Sequence, residues 1–240
     1  PDLSQVEVGV TGGEYNDSDL LRAFNSGDVY AGMAQSFYKN ELSEEDQAMH
    51  PLDFKKKHKS LRDNMKTFVL AILFNAQADL IATVFSISLK EAEKQRTRFL
   101  NLFPCLKARL GASSIEGARR KYAYTVTGLR RHFPRNAKIT HDIKNFLRNT
   151  PIQGSATAVF KKAVIAIDQE YLNTDVWIIL TVHDSIVIEC PIEQLDEVAK
   201  RCRTLMVHAV KSIYPMLEPG VDINTSQPHC WNKDGNANSL

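Results

Sequence analysis

Trp177 to Glu189 reads Trp-Ile-Ile-Leu-Thr-Val-His-Asp-Ser-Ile-Val-Ile-Glu, two apolar runs rich in β-branched residues, broken by His183, Asp184 and Ser185. The pattern predicts a β-hairpin that holds a polar trio at its turn, although an ordinary hairpin with a polar turn has the same pattern. At the amino end, Val6, Val8 and Val10 alternate with Glu7 and Gly9. That is the period of a half-buried strand, with Asp2 at its start and Glu7 near its far end. Two strands that each present an aspartate are the minimum equipment for a pair of divalent cations. Mg²⁺ takes hard oxygen ligands and completes its shell with water and phosphate oxygens. In such sites the ions lie about 3.5–4 Å apart and stabilise the attacking and leaving oxygens of an in-line displacement.

A third stretch, Arg62 to Phe74, lacks Gly and Pro and predicts a helix. Arg62, Lys66, Leu70 and Phe74 are four apart, and each step advances about 40° beyond a full turn, so they share one broad face. Cations come first on that face and apolar side chains follow, an order suited to a triphosphate carrying a base. A core helix with a solvated basic end would have the same composition.

Together these stretches resemble family A DNA polymerases. Asp2-Leu-Ser-Gln-Val-Glu7 is similar to the family's first motif, Arg62–Phe74 to its nucleotide-binding helix, and Val182-His-Asp-Ser185 to its third motif. Asn149-Thr-Pro-Ile-Gln-Gly-Ser-Ala156, Asp19–Asp28 and Thr125–Pro134 resemble further family segments, all in the family's order from residue 2 to about 205. The resemblance implies template-directed DNA synthesis. Asp2 and Asp184 would hold two Mg²⁺ ions, with Mn²⁺ as a substitute. Arg62 and Lys66 would take the triphosphate of a dNTP. Leu70 and Phe74 would form the surface against base and sugar, beside Gln5, and Glu7 would exclude a ribose 2′-hydroxyl. His183, Asn149, Gln153, Arg130 and Arg131 would contact the DNA primer–template.

Several positions depart from the family's pattern. Ser185 stands where a glutamate is usual, Leu70 and Asn75 where an aromatic residue and a glycine are usual, and Phe74 where a tyrosine is usual. Gly9 and Asn145 each replace an arginine, and Tyr30 replaces a histidine. Both aspartates and the Arg62–Lys66 pair are kept.

The elements that must position these residues read as strand, long helical insertion, helix, hairpin, helix. Asp17 or Ser18 is placed to cap a helix from near Asp19. Residues 11–18 read as a turn-rich exit, a second helix covers Val29 to Tyr38, and residues 41–59 read as a charged, mobile segment. Helices run from Leu61 to about Leu110 with a break near Pro104, and Tyr122–Thr127 reads as a short strand turning at Gly128. His141–Asn149 leads into a separate helical run from about Pro151 to Tyr171, and a last helix begins near Ile192. The expected fold is α+β: an antiparallel sheet backed by helices, with an all-helical lobe inserted after the first strand. By resemblance these are the palm (residues 1–24 and 141–240) and the fingers (25–140).

The 240 residues carry a formal charge of only +2, yet the stretch Lys94–Arg148 holds fourteen basic residues against Glu116 and Asp142. So polarised a distribution attracts polyanions and favours nucleic-acid contact over a merely solvated surface. The four cysteines form no Cys-x-x-Cys pair and read as buried free thiols, and His229-Cys230 lacks a second pair to complete a zinc site. No apolar run of about 18 residues exists, so no membrane partner is expected. No signal peptide is visible and the start at a catalytic strand suggests a piece of a longer polypeptide or half of a split enzyme. An N-terminal chain carrying thumb and nuclease domains is then a partner. The resemblance implies the cytoplasm of a bacterial or phage-infected cell, with an organelle left open. The competing functions are a single-subunit RNA polymerase, disfavoured by Glu7, and a non-catalytic nucleic-acid-binding fragment or subunit of a split polymerase.

Overall fold

The computed structural model describes residues 1–134 and 136–226. A short strand β1 (Asp2–Leu3) is followed by α1 (Val6–Tyr15), α2 (Ser18–Asn25), α3 (Val29–Phe37), α4 (Glu44–Ala48), α5 (Pro51–Lys57) and α6 (Lys59–Leu73). Then come α7 (Ala78–Phe85), α8 (Leu89–Leu102), α9 (Pro104–Arg120) and the small strands β2 (Tyr122–Tyr124) and β3 (Arg130–His132). The long helix α10 (His141–Glu170) leads to β4 (Trp177–Val182), β5 (Ser185–Glu189), α11 (Leu195–Lys211) and β6 (Val221–Asp222). The fold is α+β. One antiparallel sheet has the order β4-β5-β1-β6, and β2 and β3 form a separate pair. The chain divides into two compact units, one of Pro1–Val6 with Thr157–Leu240 and one of Glu7–Ala156.

The helical unit is organised around rings packed edge-on and tilted. Phe68 of α6 lies 5.5–5.7 Å from Phe37, Phe85 and Phe99, and Phe99 lies 5.2 Å from Phe103. Met65, Phe68, Val69, Ile72 and Leu73 bury one side of α6, so its helical register is set by burial. Asp17 is almost wholly buried and caps α2 as expected: one carboxylate oxygen accepts from Asp19 N–H and Leu20 N–H. Its second oxygen accepts Leu106 N–H at 2.7 Å, so the same side chain satisfies a free amide in the first turn of α9.

In four places the chain is more helical than expected. The strand expected over residues 2–10 ends at Leu3, and α1 begins at Val6. Val6, Val8 and Val10 are buried, but so are Gly9, Thr11 and Gly12; in a helix covered on most sides, alternation in sequence does not report alternation in space. Thr11 shows how the polar residues are tolerated, its hydroxyl donating to the Glu7 carbonyl one turn back at 2.6 Å. Glu7 therefore stands in the first turn of a helix and not at the end of a strand. The turn expected over residues 11–18 is helical as far as Tyr15.

The segment 41–59, expected to be mobile, folds as α4, α5 and the start of α6. Ser43 caps α4 and His50 caps α5 with Pro51 in its first turn, and Phe54 is fully buried. The break expected at Pro151 is absent, because α10 runs through it. Proline there removes one amide donor, a local loss that the packing of Leu147, Ile152 and Val159, all at most 1% exposed, outweighs. Beyond the expected elements, β6 closes the sheet beside β1. The contact-based division also places residues 7–24 and 141–156 with the helical unit, which differs from the expected boundaries. Among the described cysteines Cys105, Cys190 and Cys202 are free thiols, but Cys105 is exposed, and burial pushes Cys202 up to about 11. His229, Cys230 and the tail 232–240 lie outside the described residues.

Candidate active site

Within the sheet unit, the hairpin turns through His183 and Asp184 alone, since Val182 pairs with Ser185 across it. A two-residue loop needs an unusual backbone, and His183 supplies it with φ +56°. His183 is exposed, and Asp184 is half-buried. β5 lies against β1 with Asp2 directly opposite Ser185. Leu3 N–H donates to the Asp184 carbonyl at 3.3 Å and Ile186 N–H to the Pro1 carbonyl at 2.8 Å. Asp2 on β1 and Asp184 in the turn that leads into β5, 182 positions apart in sequence, are thus brought next to one another.

These flanking bonds make Asp2 and Ser185 a non-hydrogen-bonded pair, the kind in which opposed side chains approach most closely. The Ser185 hydroxyl donates to Asp2 Oδ2. On the other side of β1, Asp2 faces Asp222 of β6, whose Oδ2 accepts the Ser4 hydroxyl at 2.6 Å. Asp222 was not among the expected site residues; nothing in the sequence shows that a two-residue strand near the carboxyl end pairs with residue 2. Gln5, which follows β1, is half-buried with φ +57°.

Carboxylate oxygens at Asp2 and Asp184 have the hardness that Mg²⁺ prefers. Among the described residues no group of three or more His, Cys, Asp or Glu side chains is gathered to hold an ion.

Within the helical unit, the α6 face expected to meet a nucleotide lies away from the buried ridge of Met65, Phe68 and Ile72. Lys66 is exposed; Leu70 and Phe74 are half-buried. Arg62 is different, because Asp28, 1% exposed at the start of α3, takes its guanidinium. Nε lies 3.2 and 3.3 Å from the two Asp28 oxygens, and Nη2 lies 3.0 Å from Oδ2. Nη1 donates to Asp63 at 3.1 Å, and the group lies over the Tyr30 ring at 5.1 Å. Asp28 also caps α3 by accepting Ala31 N–H at 2.9 Å and has Lys55 at 3.4 Å. Burial alone would raise the Asp28 carboxyl; hydrogen bonds from Arg62 and Ala31 and the charges of Arg62 and Lys55 outweigh it and hold it below its ordinary value.

Helix α6 ends at Phe74, and Asn75 follows with φ +69°, the left-handed conformation that asparagine tolerates better than most residues. Asn75 Nδ2 donates to Asn145 Oδ1 of α10 at 2.5 Å. Two departures from the family pattern therefore touch one another, which no reading of either alone suggests.

The segment 149–156 on α10 carries Asn149, half-buried, and Gln153, exposed. Ser155 accepts Val126 N–H at 2.9 Å and donates to Glu14 at 3.3 Å. A Cβ on Gly154 would lie 2.5 Å from Thr125 Cγ2, so only glycine lets the β2–β3 hairpin approach α10 this closely. That hairpin displays cations over rings: Arg130 on Tyr122 at 5.0 Å, Arg120 on Tyr124 at 5.0 Å and Arg131 on Phe146 at 4.7 Å. Arg130 and Arg131 are exposed, as nucleic-acid contacts would have to be.

Known proteins share this order of elements. The thermostable DNA polymerase I of Thermus aquaticus is 26% identical over 223 residues, covering 91% of this chain and 25% of that protein. DNA polymerase I of Bacillus subtilis is 28% identical over 222 residues, 90% of this chain and 24% of that one. The chain thus spans about a quarter of the length of these relatives. The polymerase domain of Pol1 from M. smegmatis, solved with DNA primer-template and dNTP, superposes with a TM-score of 0.72 at 25% identity, over 87% of this chain and 36% of that one. Among the described residues no helix is long and apolar enough to cross a membrane. The sequence profile of DNA polymerase family A matches residues 1–231, and the chain belongs to that family.

Proposed function

We propose that this chain is the catalytic core of a DNA-directed DNA polymerase, adding deoxynucleotides from dNTPs to a primer 3′-hydroxyl as a template directs. The observation that carries the reading is the placement of Asp2, on β1, beside the hairpin turn that holds Asp184, in a chain of this family. The M. smegmatis neighbour, solved with primer-template and dNTP, supports both partners. On this reading the sheet unit is the palm and the helical unit the fingers, and the span of a quarter of the relatives supports an upstream region bearing further domains.

Asp2 and Asp184 would hold two Mg²⁺ ions, or Mn²⁺ in their place. When bound, the metal supplies a lowered pKa at the primer hydroxyl and neutralises charge on the leaving pyrophosphate. The chain's own residues bind and orient. Lys66, exposed and without an ion-pair partner among the described residues, is the free cation for the triphosphate. Arg62, tied to Asp28, is available to phosphate only at its outer edge and otherwise anchors the helix. Leu70 and Phe74 serve base and sugar, Gln5 serves the nucleotide, and Glu7 opposes a 2′-hydroxyl. Arg130, Arg131, His183, Asn149 and Gln153 contact the primer–template, with most of the affinity arising from charge.

Primer extension with Mg²⁺ by the complete polypeptide, wild type and Asp184→Ala, tests this reading. Extension by the wild type should vanish in the variant while primer–template binding stays within about twofold, since phosphate contacts dominate affinity. Equal loss of binding and extension would mean that Asp184 serves folding. Binding by the wild type with no extension would support the second reading, a nucleic-acid-binding segment without catalysis, which the engagement of Arg62 by Asp28 favours.

A further inference from the structure

At Ser185 the chain departs from its family, and the residue touches Asp2. Asp2, Ser185 and Asp222 form one cross-strand row over β5, β1 and β6, since Asp2 is paired directly with each of the others. Directly opposed residues of antiparallel strands share a face of the sheet. The row therefore already holds two carboxylates side by side, and like charges directly opposite one another destabilise a strand pair. Each carboxylate is met by a serine hydroxyl, Ser185 donating to Asp2 and Ser4 to Asp222. A glutamate at 185 would be the third carboxylate in the row and would sit in the close, non-hydrogen-bonded register against Asp2. Serine at this position is short enough for that register, carries no charge, and donates.

We propose that Ser185 is a positioning residue for Asp2: its hydroxyl fixes the orientation of the Asp2 carboxylate toward cation, and its neutrality lets the β5–β1–β6 row assemble without a cation to offset the charge. This rests on the reading of Asp2 as a cation-holding residue. A hydrogen bond to a carboxylate restricts its rotation and leaves the other oxygen and the remaining lone pairs for a hard cation.

Mn²⁺ binding to the complete polypeptide, followed by electron paramagnetic resonance, and melting temperature with Mn²⁺ or with chelator test the proposal together. Ser185→Ala should weaken Mn²⁺ binding about tenfold, the order expected for losing one hydrogen bond to a charged group. Ser185→Thr, which keeps the hydroxyl, should stay within about twofold of wild type. Ser185→Glu should bind Mn²⁺ more tightly and should melt lower than the wild type in chelator, with a larger rise on adding Mn²⁺ than the wild type shows. Wild-type affinity in Ser185→Ala, equal weakening in the Thr and Ala variants, or cation-independent melting of Ser185→Glu would each overturn it. If the wild type binds Mn²⁺ and extends primers while Ser185→Ala binds normally, only the role of Ser185 fails. If the wild type neither binds Mn²⁺ nor extends primers, the reading of Asp2 and Asp184 fails with it.

Discussion

Replacing Asp28 separates the structural role of Arg62 from its nucleotide role. Asp28 is 1% exposed and does two jobs, capping α3 through Ala31 N–H and pairing with a guanidinium whose side chain is 12% exposed. Losing an aspartate cap costs about 1 kcal/mol. Breaking a buried pair by removing one partner costs about 3–5 kcal/mol, because the other charge is left without compensation. Arg62 keeps Asp63 and the Tyr30 ring, so the lower end applies, and Asp28→Ala should cost about 4 kcal/mol in all. Asp28→Asn keeps the cap, since asparagine caps as well as aspartate, and should cost about 3 kcal/mol. Urea unfolding followed by far-ultraviolet circular dichroism measures both. A cycle with Arg62→Gln should give a coupling above about 1 kcal/mol; a coupling under about 0.3 kcal/mol would mean that the pair behaves as a surface contact and the reasoning fails. The pH dependence supplies a second check. The folded Asp28 carboxyl lies below its ordinary 3.8, so its stabilisation is complete above the unfolded value and is lost as pH falls through the folded one. The wild type should therefore lose stability with acid more steeply than Asp28→Asn below about pH 4.

Two further outcomes are expected. Lys66→Ala should raise the dNTP KM about tenfold or more, the loss of one charged contact, while the urea midpoint stays near wild type because Lys66 is exposed; a KM unchanged within error in steady-state extension would remove Lys66 from the nucleotide site. Glu7→Ala should raise the ratio of ribonucleotide to deoxynucleotide incorporation, measured in parallel single-nucleotide reactions, and an unchanged ratio would leave Glu7 as a helix N-terminal carboxylate serving only the α1 dipole.

Strong local signals made parts of this molecule legible from sequence. The hairpin could be read because two β-branched runs flank a polar pair, and a two-residue loop has few backbone solutions. Helix α6 could be read because Arg62–Phe74 lacks Gly and Pro and carries a regular apolar ridge, and the Asp17 cap because an aspartate precedes an amphipathic run. Weak local signals gave mixed results: alternation over Tyr122–Thr127 does mark the strand β2, but two other segments were misjudged. Val6, Val8 and Val10 suit a strand or a covered helix equally, and only the surrounding unit decides between them. Residues 41–59 look mobile by charge, yet Ser43, His50 and the buried ring of Phe54 make them two short helices.

The chemistry divides in the same way. The proposal of Asp2 and Asp184 as cation ligands could be argued from residue type and order, because carboxylates at strand ends and turns are the donors a hard cation requires. Partner identity could not, since partners are set by register. Asp28 claims Arg62 across 34 positions, Asn75 meets Asn145 across 70, and Ser185 meets Asp2 across 183. Asn75 and Asn145 pair two departures from the family pattern, Ser185 pairs a third with Asp2, and the Arg62 pair is flanked by a fourth, Tyr30. Residues that look like isolated losses in a linear reading make contacts here, Asn75 with Asn145 and Ser185 with Asp2. Serine in place of glutamate would read as damage on charge alone; in the close register opposite Asp2 it supplies a hydrogen-bond donor where a carboxylate would repel, next to the turn that holds Asp184.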